Sequence, residues 1–376
     1  MENILMMHGG APTAVINASL YGSIKELKDA NFKGKILASR FGTGGLLKRD
    51  ILDLSSVSDN SLNALLHTPG SAIGTGRDHL EAEDYITLAS NLADLNVKYV
   101  LLTGGNGSMD TTYKLSQECK KRGIIVCGVP KTMDNDLEPC DHSPGFASAA
   151  RYLAASVREV AEDVKGLPIH VVIVESFGRD AGYLAASSAL AREDGAGPDM
   201  VLLPEVPFEE ERFLERVLTL HKEKGGVVVV ASEGLRYKDG KPIVKPVFQK
   251  ERSTYFGDVS SHLSTLVISK LGIKARSEKP GILGRASIAW QSERDVDDAI
   301  KAGREAVLLA LDGKSGYMST VTRDGISSTI IRKEILKERV LPDKYIDRDN
   351  FDIKSDYLTW LKPLVGSLGS PFVSFT

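Results

Sequence analysis

The chain has 376 residues, with 47 basic and 50 acidic side chains, a formal net charge of −3, 42% hydrophobic and 6% aromatic residues. Near-cancelling charge provides no global field for a nucleic-acid backbone or an anionic membrane surface, and no stretch approaches the roughly 20 apolar residues of a membrane span. The length suits two domains, each able to bury a core, and the composition favours small-molecule chemistry.

The opening MENILMMHGG lacks the basic start and long apolar core of a signal peptide. Cys119, Cys127 and Cys140 are odd in number and share no C-x-x-C spacing, so a reducing, cytoplasmic setting is expected. Along the chain, apolar runs at 4–7, 35–38, 99–103, 124–129, 170–175, 200–203 and 227–231 read as buried parallel strands. Helix candidates at 81–95, 110–122, 147–164 and 209–224 alternate with them, the rhythm of a doubly wound α/β sheet. The rhythm is too long for one sheet, and S-P-G before Phe146 breaks it. Near the C-terminal side, 317–322 flanked by D-G-K-S-G and R-D-G-I-S-S reads as a β-hairpin.

Chemistry-bearing residues collect where the apolar runs end. The first run leads through His8-Gly9-Gly10-Ala11-Pro12-Thr13 into a helix from Ala14. There, free N–H groups and the helix dipole can meet an anion, although the same turn serves α/β folds without a ligand. The spacing is neither the dinucleotide fingerprint nor a Walker A loop. The run 99–103 closes on Gly104-Gly105-Asn106-Gly107-Ser108-Met109-Asp110, in which Ser108 or Asp110 reads as a helix cap. Next, Pro130-Lys131-Thr132-Met133-Asp134-Asn135-Asp136 concentrates a cation, a hydroxyl and two carboxylates. Like charges side by side are unfavourable unless a metal or cation compensates, which points to proton abstraction and phosphoryl binding. The fourth cluster, Glu175-Ser176-Phe177-Gly178-Arg179-Asp180-Ala181-Gly182, places Arg179 where a helix is expected to begin. A cation there suits an anionic ligand, or an ion pair with Asp180 or Glu175. Arg276, Arg285 and Lys362, taken singly, read as solvated charges.

Together these loops resemble the phosphofructokinase family. The series runs G-G-x-P, G-G-x-G-S, P-K-T-x-D-N-D, F-G-R in place of the usual M-G-R, L-P-E at 203–205 and S-E-G at 232–234. The resemblance implies two doubly wound domains with mostly parallel sheets: a phosphoryl-donor domain (1–146 and 283–335) and a sugar-phosphate domain (147–282 and 336–376). It implies transfer of a phosphoryl group to the 1-hydroxyl of fructose 6-phosphate, a step of glycolysis. By the same resemblance Asp134 is the general base, Thr132 and Lys131 hold the transferring group, and Arg179 stabilises charge. Gly9, Gly10, Arg77, Gly105, Asn106, Gly107 and Ser108 match donor positions. Asp136, Phe177, Gly178, Glu233, Arg276, Arg285 and Lys362 match sugar-phosphate positions, and Mg²⁺ would be held by Asp136, Asn106 and Asp110. A homodimer or homotetramer is implied as well.

The donor is divided between features. G-G-A-P-T-A-V-I-N-A-S, G-G-N-x-S-M-D-T and L-K-P-L-V-G look most like the pyrophosphate-dependent branch, as does Lys131. That branch, however, has aspartate where this chain has Gly107, and glycine leaves room for the α-phosphate of ATP. On this ground ATP is the expected donor and pyrophosphate the alternative. Asn106 replaces a usual metal-binding aspartate, Gly284-Arg285 replaces Q-R, and His170, which reads as a strand histidine, stands where many members have arginine. These departures keep open another sugar phosphate such as sedoheptulose 7-phosphate, and a non-catalytic phosphate-ligand sensor that retains the fold.

Overall fold

The computed structural model describes residues 2–250 and 253–375. Its strands are β1 (Asn3–His8), β2 (Ile36–Ser39), β3 (Ile51–Asp53), β4 (Val97–Gly104), β5 (Ile125–Pro130), β6 (Val171–Ser176), β7 (Met200–Leu202), β8 (Val227–Ser232), β9 (Pro246–Lys250), β10 (Ser253–Phe256), β11 (Ala275–Glu278), β12 (Tyr317–Thr322), β13 (Gly325–Ile330), β14 (Ile346–Asp347) and β15 (Asp352–Ile353). The α-helices are α1 (Ile16–Asp29), α2 (Thr43–Leu47), α3 (Asp59–Ala64), α4 (Ala82–Asp94), α5 (Asn106–Cys119), α6 (Phe146–Gly166), α7 (Tyr183–Ser187), α8 (Glu210–Lys224), α9 (Val259–Leu271), α10 (Ile282–Ala286), α11 (Glu293–Leu311) and α12 (Ser355–Val365). The chain divides into two compact units, Met1–Ser148 with Arg285–Arg339, and Ala149–Gly284 with Val340–Thr376.

The first unit carries a seven-stranded sheet in the order β13-β12-β5-β4-β1-β2-β3. Its centre is parallel, whereas β3 and β13 are antiparallel edges. The central strands are continuous apolar runs because helices cover both faces. On one face α1 and α11 pack over Ile4, Met6, Leu101 and Val129; on the other α4 and α5 cover Leu5, Met7, Val100 and Leu102. Two glycines let α1 and α11 cross closely. A Cβ at Gly22 would lie 2.1 Å from the carbonyl oxygen of Ile300, and one at Gly303 would lie 2.1 Å from that of Ser19. The 317–322 run pairs with β13 as the expected hairpin, in register Thr322↔Gly325.

The second unit has a four-stranded parallel sheet in the order β11-β6-β8-β7, with Val171, Ile173, Val227 and Val229 in its core. The antiparallel pair β9–β10 stands outside this sheet.

Three helix starts differ from the sequence expectation. Helix α1 begins at Ile16, so Pro12 precedes its first turn. Helix α5 begins at Asn106 with extended Gly105 as its N-cap and no side-chain cap. Asn106, Gly107 and Ser108 therefore occupy the first turn, and neither Ser108 nor Asp110 caps it. Helix α7 begins at Tyr183 after Gly182, so Arg179 lies on the preceding loop rather than at a helix start. Gly178, at φ +105°, bends the chain there, and the Gly182 N–H is taken by Glu205 at 2.7 Å. Among the described residues no helix is long and apolar enough to cross a membrane.

Candidate active site

In the first unit the carboxyl ends of three adjacent parallel strands, β1, β4 and β5, deliver the glycine and lysine loops to one sheet edge. Ligands of open α/β sheets collect at such an edge. The Gly9 N–H donates to the Thr103 carbonyl at 2.8 Å, and the Lys131 N–H donates to the Gly104 carbonyl at 3.0 Å. Gly9 also bridges Gly76, and the Gly10 N–H donates to the Gly76 carbonyl at 2.9 Å, which brings the segment bearing Arg77 beside the first loop.

The glycines do different things. A Cβ at Gly9 or Gly104 would lie 2.3 or 2.0 Å from the Ser108 hydroxyl, so the space these residues leave is filled by Ser108. Gly10 is needed for its φ of +78°. An added Cβ at Gly105 would meet only the Lys131 carbonyl oxygen at 3.4 Å and the Thr132 Cβ at 3.9 Å. Gly107 is exposed in the first turn of α5.

Lys131 is 4% exposed, and its Nζ donates to the Ala11 carbonyl at 2.7 Å. Burial pulls its ammonium down to about 8, against the opposing pull of Asp134 and Asp136 and with the push of Arg77 and Arg285. Arg285 is itself lowered by burial and by Arg77, while Asp134 raises it. Lys131, Arg77, Arg285, Asp134 and Asp136 thus act on one another electrostatically within the first unit. The Thr132 N–H donates to the Pro144 carbonyl at 3.1 Å, and the Thr132 hydroxyl accepts from the Asp134 N–H at 3.2 Å.

The three residues expected to hold a divalent cation have different partners. Asp110 is held by Lys114 at 2.8 Å, four residues on along α5. Asn106 donates through Nδ2 to both the carbonyl and Oδ2 of Asp136, each at 3.1 Å. Asn106 Oδ1 and Asp136 Oδ1 are buried and accept no hydrogen bond. Hard oxygen donors such as these suit Mg²⁺, which needs few protein ligands when phosphate oxygens and water complete its octahedron. Among the described residues no cluster of three His, Cys, Asp or Glu side chains forms a metal site.

In the second unit the ends of β6 and β8 bring Phe177, Gly178, Arg179 and Glu233 together. The Glu233 N–H donates to the Ser176 carbonyl at 2.9 Å, and the Ser232 hydroxyl donates to the Gly178 carbonyl at 2.8 Å. Gly234 passes so close that a Cβ would fall 1.6 Å from the Arg179 carbonyl oxygen. Burial pushes the Glu233 carboxyl up to about 7, opposed by Arg179 and Lys279. Asp180 pairs with Arg236 at 3.0 Å, and Glu175 with Lys279 at 3.1 Å. Arg276 is exposed on edge strand β11, and burial with Arg276 and Lys274 nearby depresses buried His170. Exposed Lys362 on α12 pairs with Glu193 at 2.8 Å.

A family model described as Phosphofructokinase matches residues 3–309. The chain belongs to the phosphofructokinase family. It is 36% identical to the pyrophosphate–fructose 6-phosphate 1-phosphotransferase of Xanthomonas campestris pv. campestris (strain B100), over 96% of this chain and 91% of that relative. It superposes with a TM-score of 0.88 on the crystal structure of a pyrophosphate-dependent phosphofructokinase from Marinobacter aquaeolei, 35% identical, covering 100% of this chain and 94% of that one. It is also 27% identical to ATP-dependent 6-phosphofructokinase 3 of Bacteroides thetaiotaomicron, over 86% of this chain and 90% of that relative. As a phosphofructokinase the chain is a phosphotransferase acting on a sugar phosphate. Sequence reasoning passed over Arg339, whose guanidinium donates to the Asn135 carbonyl beside Asp134 at 3.0 Å, because it stands in no motif. Ser232 was visible only as part of S-E-G.

Proposed function

We propose that the enzyme transfers a phosphoryl group from pyrophosphate to the 1-hydroxyl of fructose 6-phosphate, forming fructose 1,6-bisphosphate and orthophosphate. The observation that carries this reading is the similarity, over nearly the whole chain, to relatives named as pyrophosphate-dependent, at 36% and 35% identity. The buried Lys131 ammonium among Arg77, Arg285 and the two carboxylates supports it. All the charge of pyrophosphate lies on two adjacent phosphoryl groups, which suits cations concentrated at one sheet edge.

In this reading the Asp134 carboxylate takes the proton of the 1-hydroxyl. The oxygen attacks phosphorus, and the bond to the departing orthophosphate breaks in line. Thr132 orients the transferring group, and Lys131 and Arg77 neutralise it. Gly9, Gly10, Gly105, Gly107 and Ser108 shape the donor loop. Asp136 and Asn106 would hold Mg²⁺, which when bound supplies further neutralisation of phosphoryl oxygens. On the second unit Glu233 and Gly178 bind sugar hydroxyls, and Arg179 offsets developing charge. Such chemistry needs positioning and charge rather than a covalent intermediate.

ATP is the second reading, and Gly107 favours it, because an exposed glycine in the first turn of α5 adds neither bulk nor negative charge near a longer donor. Asp134→Ser tests the shared chemistry. It is expected to lower kcat on the order of 10³-fold with KM nearly unchanged, and undiminished turnover would sink the reading.

A further inference from the structure

Arg339 is the last residue of the first unit, and its donors converge on the loop that carries Asp134 and Asp136. Nε and Nη2 donate to the Asn135 carbonyl at 3.2 and 3.0 Å, and Nη2 also donates to the Asp141 carbonyl at 3.0 Å. Nη1 donates to the Cys140 carbonyl. The backbone N–H of Arg339 donates to the Asp136 carbonyl at 2.9 Å, and its neighbour Glu338 forms an antiparallel bridge with Leu137.

Between the two carboxylates, Asn135 is fully buried with φ at +57°. Asparagine tolerates that left-handed conformation better than most non-glycine residues, and here hydrogen bonds from neighbouring groups fix it. One restraint is the Ser143 N–H, which donates to Asn135 Oδ1 at 2.9 Å. The others come from Arg339. A guanidinium is a rigid planar fork that can hold several carbonyls in one geometry, which an ammonium on a flexible stem cannot do.

We propose that Arg339 is a positioning residue for phosphoryl transfer: it fixes the Asn135 peptide in its left-handed turn and so sets the direction of Asp134 and Asp136. The proposal rests on the reading of Asp134 as the base.

Full-length wild type, Arg339→Gln and Arg339→Lys are compared by amide hydrogen exchange and by steady-state kinetics with pyrophosphate and with ATP. In Arg339→Gln, exchange over residues 134–141 is expected to speed up about tenfold while β1 and β4 stay protected. Its kcat is expected to fall about 10²-fold with KM for fructose 6-phosphate within about twofold, and free guanidinium should restore part of the loss. Arg339→Lys should fall between the two, and it carries both measurements if the glutamine variant does not fold. Unchanged exchange over 134–141, a kcat within about twofold of wild type, or a loss confined to KM would overturn the proposal. A wild type that turns over neither donor would instead sink the functional reading, and the exchange result alone would then decide whether Arg339 holds the loop.

Discussion

Lys131 keeps its charge where water does not reach, and this makes it both useful and sensitive to pH. Its ammonium is drawn down to about 8 by burial, so it loses its proton as pH rises through that value. If it grips the donor, KM for pyrophosphate should climb above about pH 8. Lys131→Met should raise that KM roughly 10- to 100-fold at neutral pH and abolish the climb. Initial rates from pH 6 to 9.5 would show both effects, and a wild-type KM flat across that range would contradict the assignment.

His8 titrates in the other sense. It is buried at the end of β1, bonded through Nδ1 to the Ser71 hydroxyl at 2.8 Å, and burial with the Lys131 ammonium nearby holds it down at about 3. The unfolded imidazole takes up a proton near 6.5 while the folded one stays neutral. The stability this gives is therefore present above 6.5 and is lost as pH falls toward 3. His8→Gln should spare the protein about 3 kcal/mol of acid destabilisation by about pH 4.5, measured as urea midpoints relative to each protein's own value at neutral pH. Parallel acid profiles for the two proteins would rule this out.

At the scale of elements, the crossing of α1 and α11 depends on two missing side chains. Gly22 and Gly303 each place backbone where a Cβ would clash at 2.1 Å. Helix propensity alone would favour alanine at Gly303 by about 0.8–1.0 kcal/mol, yet the close approach should outweigh it. Gly303→Ala is expected to destabilise the protein by about 1–3 kcal/mol, whereas Lys301→Ala on the exposed face should stay within about 0.5 kcal/mol. Thermal melts decide between the two effects, and a stabilised Gly303→Ala would mean that the helices can part at little cost. Elements of this kind were only partly legible. The central strands announced themselves as continuous apolar runs, but β3 and β11 are short edges that bury little, as the partly exposed side chains of Ile51 and Ala275 show. The start of α5 was misjudged because Gly105 replaces a side-chain cap, leaving no Ser, Thr, Asp or Asn signal at the N-cap.

For the whole molecule, the P-K-T-M-D-N-D run and the glycine pairs made the lysine loop readable, since their residue types carry their chemistry locally. The brace behind that loop was not readable. Arg339 meets Asn135 across some two hundred positions of sequence, and no local pattern marks a basic residue destined for carbonyl oxygens. Arg285 was visible only as a sugar-phosphate position of the resemblance, and its electrostatic coupling to Arg77, Lys131 and Asp134 in the first unit had no local sign in the sequence. The donor is where local and global signals diverge, because Gly107 points to ATP while the similarity of the entire chain points to pyrophosphate. The most direct measurement is aldolase-coupled formation of fructose 1,6-bisphosphate by the purified protein, with pyrophosphate and ATP supplied in parallel. A kcat/KM with pyrophosphate at least about tenfold above that with ATP is expected, and turnover with ATP but none with pyrophosphate would contradict it.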